Sequence, residues 1–140
     1  MLVIKPDAVR RKLVGEIIKR IETDGFVLRD ARFMQLVRTD AERFYAIHKG
    51  KVFFDPLVAF MTSGPVMALL IERENGLHRL RELAGATDPK QAAPGTIRAD
   101  LGTSTRENVV HAANPDENPD EEIRFYFPEK GTANARECTQ

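Results

Sequence analysis

The side chain in this sequence most suited to covalent chemistry is His111, which closes the run Asn108-Val109-Val110-His111 downstream of Pro94-Gly95-Thr96-Ile97-Arg98-Ala99-Asp100. An imidazole on a β-branched stretch that follows a cationic turn suits a nucleophile facing a phosphate. Its partner is close in sequence: Glu122 lies on a segment with helix-start signals, where it can return to the strand. A carboxylate bonded to one ring nitrogen fixes the tautomer and makes the other nitrogen a better nucleophile. Imidazole has a reference pKa of about 6.5, so the ring is mostly neutral at pH 7 and attack on phosphorus needs no separate base.

Cations and small donors accompany it. Lys5 ends an apolar strand, Arg81 lies on a charged helix between leucines, and Thr87 and Arg98 fall in or near turns. Taken singly, each reads as structural: a snorkelling lysine, a solvated arginine, ordinary loop chemistry. Together they supply what a triphosphate requires, namely opposing charge, bidentate forks and small donors. Phe53, in the pair Phe53-Phe54, reads alone as core; at the mouth of a site its ring would stack on any base, because every base has a π-face. His48, His78 and His111 show no HExxH spacing, and the single Cys138 has no partner for a disulfide or a zinc site. No protein-built metal site is expected.

The elements that must position these groups are legible in part. Leu2 to Ile4 reads as a short buried strand ended by Pro6, which cannot donate to a ladder. Val14, Ile17, Ile18 and Ile21 recur at helical spacing, with Gly25 as the stop. Phe26 to Val37 is a second strand region with imperfect alternation. Thr39-Asp40-Ala41-Glu42 has the form of a capping box before a helix carrying Phe44, Tyr45 and His48. Gly50 interrupts, and Phe53, Leu57, Phe60 and Met61 resume an apolar face until Ser63-Gly64-Pro65. Val66 to Ile71 reads as a central strand buried on both faces. Asn75 is positioned to cap the next helix, with Leu77, Leu80 and Ala84 inward and Gly85 at its end. Thr87 to Gly95 is a loop; Ile97 and Val109 to Ala112 flank the last strand region. Asn118-Pro119-Asp120-Glu121-Glu122 then opens a helix with a cap, a proline and acids near its positive end. Ile123 and Phe127 form its apolar i, i+4 pair.

Strands and helices alternate, so the expected class is α+β, an α/β sandwich: a ferredoxin-like βαββαβ antiparallel sheet with helices packed on it, gathered on one side. At 140 residues the chain is one domain, taken as residues 1–128 with a polar C-terminal tail over 129–140. With 42% hydrophobic residues and 21 Lys plus Arg against 21 Asp plus Glu, no global field draws it to nucleic acid or membrane, and an anion site must be local. No signal-peptide pattern or membrane-length apolar run occurs, and the lone cysteine fits a reducing, cytoplasmic setting.

Several segments in order resemble the nucleoside diphosphate kinases, over about Leu2 to Phe127. They are Val3-Ile4-Lys5-Pro6-Asp7-Ala8-Val9, Leu13-Val14-Gly15-Glu16-Ile17-Ile18, Tyr45 to Phe54, Phe60-Met61-Thr62-Ser63-Gly64-Pro65-Val66, Gly85-Ala86-Thr87-Asp88-Pro89 and the Pro94 to Asp100 stretch. The resemblance implies that His111 is phosphorylated at its pros nitrogen and that Glu122 orients it. It sets Lys5 and Tyr45 beside the transferred phosphoryl group, with Lys5 also near the ribose 3′-hydroxyl. Arg81, Thr87 and Arg98 become phosphate ligands, Asn108 a ribose contact, Phe53 the stacking ring, and Thr105 stands where an apolar residue often faces the base. It further implies Mg²⁺ held through nucleotide phosphates rather than by a protein cage, nucleoside triphosphates and diphosphates as substrates, and a homo-oligomer, tetramer or hexamer. The family carries several residues before its first strand, so the start at Leu2 reads as clipped or mis-assigned.

The departure follows the nucleophile. His111-Ala112-Ala113-Asn114-Pro115 stands where the family has His-Gly-Ser-Asp or His-Ala-Ser-Asp, and Ala113 loses a hydroxyl that would support Glu122 and His111. The leading reading is a phosphotransferase working by a ping-pong mechanism through His111. The alternatives are a catalytically impaired nucleotide-binding or regulatory module and, more weakly, an interaction domain of the same fold without nucleotide affinity.

Overall fold

The computed structural model describes residues 1–130. Its centre is a four-stranded antiparallel sheet of order β2-β3-β1-β4, from strands β1 (Leu2–Ile4), β2 (Val27–Met34), β3 (Val66–Glu72) and β4 (Val110–Ala112). This is the α+β, ferredoxin-like arrangement. Helices α1 (Pro6–Arg10) and α2 (Val14–Thr23) link β1 to β2, and α3 (Arg38–Phe44), a 3₁₀ turn (Ala46–His48) and α4 (Phe54–Met61) link β2 to β3. Helices α5 (Gly76–Ala84) and α6 (Ile97–Leu101) link β3 to β4, and α7 (Pro119–Tyr126) follows.

The helices cover both faces of the sheet, not one. Alternate side chains of β1 point to opposite faces, and all three are fully buried. Leu2 and Ile4 pack with Ile17, Ile21, Leu80, Ala84 and Ile97, while Val3 packs with Tyr45, Phe54, Val58, Met61, Tyr126 and Phe127. A strand apolar at every position hides this two-sidedness from a reading of alternation. Val3 lies opposite His111 in the β1–β4 ladder, so the imidazole shares the second face, the one floored by Tyr45 and Tyr126.

Three local expectations change. Pro6 ends β1 but also starts α1, because the first helical position needs no N–H and a fixed φ suits it. Ile97 is helical rather than next to a strand: Thr96 caps α6, its hydroxyl accepting from the Ala99 amide at 3.2 Å. The proposed caps at Thr39, Asn75 and Asn118 do not form. Helix α3 starts at Arg38, before the threonine, and Asn75 and Asn118 take left-handed φ of 53° and 43° with no side-chain cap bond. Of the tail, residues 131–140, with Cys138, lie outside the described residues.

Gly85 ends α5 at φ +87°, and a Cβ there would stand 2.5 Å from Thr96 Oγ1 and 2.7 Å from Thr96 Cβ. Its carbonyl also accepts from Arg98 Nη1 at 2.9 Å. Gly85→Ala therefore combines a left-handed penalty with overpacking against the α6 cap, and a loss of roughly 2–4 kcal/mol is expected in urea unfolding. A neutral result would mean that Thr96 and Arg98 can shift freely.

Candidate functional site

The site is built around a short strand entered through a strained turn. Val110 N donates to Asn108 O at 2.8 Å, closing a three-residue turn with Val109 at its centre and φ of +65°. A β-branched residue in this region is disfavoured, and the surroundings hold it from both sides. Val109 N donates to Asp7 Oδ2 at 3.2 Å, and Val109 O accepts from the Lys5 amide at 2.9 Å. The chain's opening motif thus clamps the residue two before His111, so Lys5-Pro6-Asp7 has a backbone role that its charges alone do not suggest. Burial pushes the Asp7 carboxyl up, against the pull of Lys5 and of the Val109 amide.

His111 Nε2 donates to Glu122 Oε1 at 3.0 Å, with both side chains largely enclosed. An ionised carboxylate can only accept, so this contact calls for the ring proton on Nε2 and leaves the lone pair on Nδ1. Phe44 and Tyr45 meet the imidazole edge-on at 5.3 and 6.1 Å. Burial, then the charge of Glu122, raises the Tyr45 phenol above its ordinary range while Arg98 opposes, so its hydroxyl keeps its proton.

Lys5 is buried, and its ammonium donates to Asn108 Oδ1 at 2.7 Å and Arg106 O at 2.9 Å. Asn108 passes that bond on, its amide donating to the carbonyls of Thr87 and Thr105 at 2.9 Å each. One buried amide therefore ties β1's end to two loops. Arg98, also buried, spends its terminal nitrogens on Gly85 O at 2.9 Å and Val110 O at 2.7 Å, while its Nε has no partner. Among the described residues neither cation makes an ion pair within 4.0 Å. Burial pushes Lys5 down to about 8, with Asp7 opposing and Arg98 and Arg106 adding; burial and then Arg81 push Arg98 down to about 10. Desolvated cations whose direct hydrogen-bond partners are neutral oxygens are an arrangement suited to an anionic ligand.

These groups line one cleft of about 1170 Å³ that brings together Lys5, Tyr45, Phe53, Arg81, Thr87, Arg98, Thr105, Asn108, His111 and Glu122. Arg81 and Thr87 are exposed within it. Phe53 is 44% exposed, with His48 at 5.2 Å and the Lys51 ammonium 5.6 Å from its ring, so it stands at the mouth rather than in the core. The cleft also takes in Phe44, His48 and Arg106, which the sequence did not single out as site residues. Arg106 precedes Asn108 by two in an irregular loop, where no periodicity marks it; Phe44 and His48 read only as helix residues.

A model of the nucleoside diphosphate kinase family matches residues 1–132. The nucleoside diphosphate kinase of Bordetella pertussis is 52% identical over 127 residues, covering 91% of this chain and 90% of its own. That of Wolinella succinogenes is 53% identical over 125 residues, covering 89% and 91%. The halophilic nucleoside diphosphate kinase of Halobacterium salinarum, solved in complex with CDP, aligns with a TM-score of 0.87 at 41% identity, over 90% of this chain and 84% of that one.

The depressed Lys5 makes a signed expectation. An unfolded lysine holds its proton to about 10.5 and the folded one releases it at about 8, so this group destabilises the free fold fully below pH 8 and not above 10.5. An arriving polyphosphate supplies the missing negative charge and restores the proton. Nucleoside triphosphate affinity should then fall as pH rises through about 8, with net proton uptake on binding seen by calorimetry in two buffers. Lys5→Arg, whose guanidinium stays charged, should abolish the uptake. Binding without proton uptake in the native protein would place the phosphates away from Lys5.

Proposed function

The chain belongs to the nucleoside diphosphate kinase family, phosphotransferases that move the γ-phosphoryl group of a nucleoside triphosphate to a nucleoside diphosphate, and from that premise we propose that the transfer here runs through His111 Nδ1. The observation that carries this reading is the 3.0 Å bond from His111 Nε2 to Glu122, which leaves Nδ1 as the nucleophilic nitrogen. In the first half-reaction the Nδ1 lone pair forms a bond to the γ-phosphorus as its bond to the β-phosphate oxygen breaks, and nucleoside diphosphate leaves. The ring gains positive charge, which Glu122 balances. In the second half, a terminal oxygen of another diphosphate attacks the same phosphorus and the P–N bond breaks. Bonding and charge at phosphorus match on the two sides, so the equilibrium lies near unity, and one site serves donor and acceptor in ping-pong order.

Lys5, Arg81, Arg98 and Thr87 hold the phosphates, and Tyr45 supports the transferred group beside His111. Fixed donors around an in-line transfer are the main contribution a protein makes to this chemistry. Asn108 turns from its resting carbonyl partners to the ribose, Phe53 stacks on the base, and Thr105 lies across from it. No group of three or more His, Cys, Asp or Glu among the described residues can hold a metal ion, and the cleft offers its phosphate region cations instead. That donor set fits Mg²⁺ carried by the nucleotide's own oxygens and waters, where it neutralises phosphate charge.

The assembly is a homo-oligomer, tetramer or hexamer. Support comes from β2, an edge strand that leaves Phe33 60% and Val27 48% exposed, apolar side chains that a neighbouring subunit would cover. The setting is cytoplasmic and needs no nucleic acid; no helix among the described residues is long and apolar enough to cross a membrane. Residues 1–128 form the catalytic domain, and 129–140 its tail.

His111→Gln removes the ring nitrogen and should abolish acid-labile label from [γ-³²P]ATP while nucleotide still binds. Glu122→Gln keeps a hydrogen-bonding group without its charge and should slow labelling by roughly one to three powers of ten. Full exchange activity in His111→Gln would end the phosphohistidine reading. Phe53→Ala should weaken all four common bases alike, by about 1–3 kcal/mol. Equilibrium binding of the four diphosphates checks this, and loss confined to one base would remove Phe53 from a stacking role.

A further inference from the structure

Four buried side-chain polar atoms among the described residues have no hydrogen-bond partner: Asp7 Oδ1, Arg98 Nε, Glu122 Oε2 and the Tyr126 hydroxyl. Arg98 already belongs to the cleft proposed to hold phosphates, and Asp7 belongs to the Val109 clamp. The remaining two form a complementary set. An ionised carboxylate oxygen only accepts, and a phenol donates. They also stand at i and i+4 on α7, one turn apart on the same helix face. Tyr126 is 1% exposed, and Phe44 bridges it to the nucleophile, meeting Tyr126 at 5.1 Å and His111 at 5.3 Å.

The residue after β4 sharpens the case. Ala113 is fully buried and carries no hydroxyl where the resemblance has a serine, and the second oxygen of Glu122 has no donor. Tyr45 is near the same charge but opens on the cleft, where the proposed transfer engages it. Tyr126 faces no such demand. Burial first, then the neighbouring Tyr45 phenol and the carboxylates of Glu122 and Asp40, hold its phenol well above the ordinary range, so the hydroxyl remains a donor at any working pH.

Resting on the phosphohistidine reading, we propose that Tyr126 is a positioning residue whose hydroxyl donates to Glu122 Oε2 as the His111 ring becomes charged, replacing the support that Ala113 does not give. The need for it peaks in that step. An imidazolium pulls harder on Glu122 Oε1 than a neutral ring does, and a carboxylate held at one oxygen alone can rotate away. A second bond from its own helix fixes the plane of the carboxylate and hence the direction of Nδ1.

The test is a double-mutant cycle on the full chain: native, Tyr126→Phe, Ala113→Ser and the double variant. Phosphoenzyme formation from Mg²⁺-ATP is followed in single turnovers, ADP affinity by calorimetry, folding by thermal melt, and the His111 tautomer by ¹⁵N NMR. Tyr126→Phe is expected to slow labelling about tenfold, at the low end for losing an outer partner of a functional histidine. ADP affinity should not move, and the population of Nε2-protonated ring should fall. Ala113→Ser should do little in the native background and recover most of the rate in Tyr126→Phe, because either hydroxyl suffices. A Tyr126→Phe protein that labels at the native rate overturns the inference. So does a serine effect equal in both backgrounds, or a loss that tracks melting temperature and is not repaired by the serine. A native protein that takes no label on His111 would instead sink the phosphohistidine reading itself, which separates the two failures.

Discussion

The 3.0 Å hydrogen bond from His111 Nε2 to Glu122 is the interaction on which the site depends. It crosses from a three-residue edge strand to a helix that follows in sequence, so it ties the two together and, in the proposed transfer, decides which ring nitrogen attacks. Nearly everything near it serves that alignment. Phe44 and Tyr45 wall the imidazole, β1 fixes its face through the Val3 pairing, and the Val109 turn sets where β4 begins. A neutral ring of fixed tautomer is a competent nucleophile without a base, which removes one proton transfer from the proposed cycle.

The second constraint is electrostatic. Lys5 and Arg98 are buried with neutral oxygens for partners, and the chain has no net charge with which to draw an anion from a distance. Attraction is therefore concentrated in the cleft, where low dielectric strengthens it. In the proposed function, the same burial that depresses Lys5 is a cost that a bound phosphate would relieve. Asn108 is the hinge of this arrangement. It holds the lysine and two loop carbonyls in the free protein, and those bonds are the ones a ribose would have to exchange.

Much of this was legible in the sequence, for identifiable reasons. Val14–Thr23 read correctly because a core face leaves a helical repeat, and Val66–Glu72 because a strand buried on both faces leaves an unbroken apolar run. The candidate residues gathered in one cleft because their motifs sit at turns and strand ends, which a sheet of this topology brings to one side. Five-residue α1 and α6 were missed, since so few residues carry no period. Asn75 and Asn118 do stand at the starts of α5 and α7, and Thr39 lies just inside α3, but none makes the expected side-chain cap bond, because the residue types do not reveal the backbone angles, which are left-handed at both asparagines. Val109 at positive φ was invisible for the same reason: its own type argues against that conformation, and only Asp7 and Lys5, a hundred residues away, hold it there. Tyr126 reads as one more aromatic in a core; an unpartnered hydroxyl one helical turn from a residue with an unpartnered carboxylate oxygen sets it apart.

If Glu122 occupies Nε2, the phosphoryl group has one nitrogen left to take. The direct measurement is the positional isomer of phosphohistidine formed with Mg²⁺-ATP, read from ³¹P–¹⁵N couplings in ¹⁵N-histidine-labelled protein under native conditions. Coupling that places phosphorus on Nδ1 of His111 is the expected result. Phosphorus on Nε2, or on a residue other than His111, would contradict the alignment on which the proposed transfer rests.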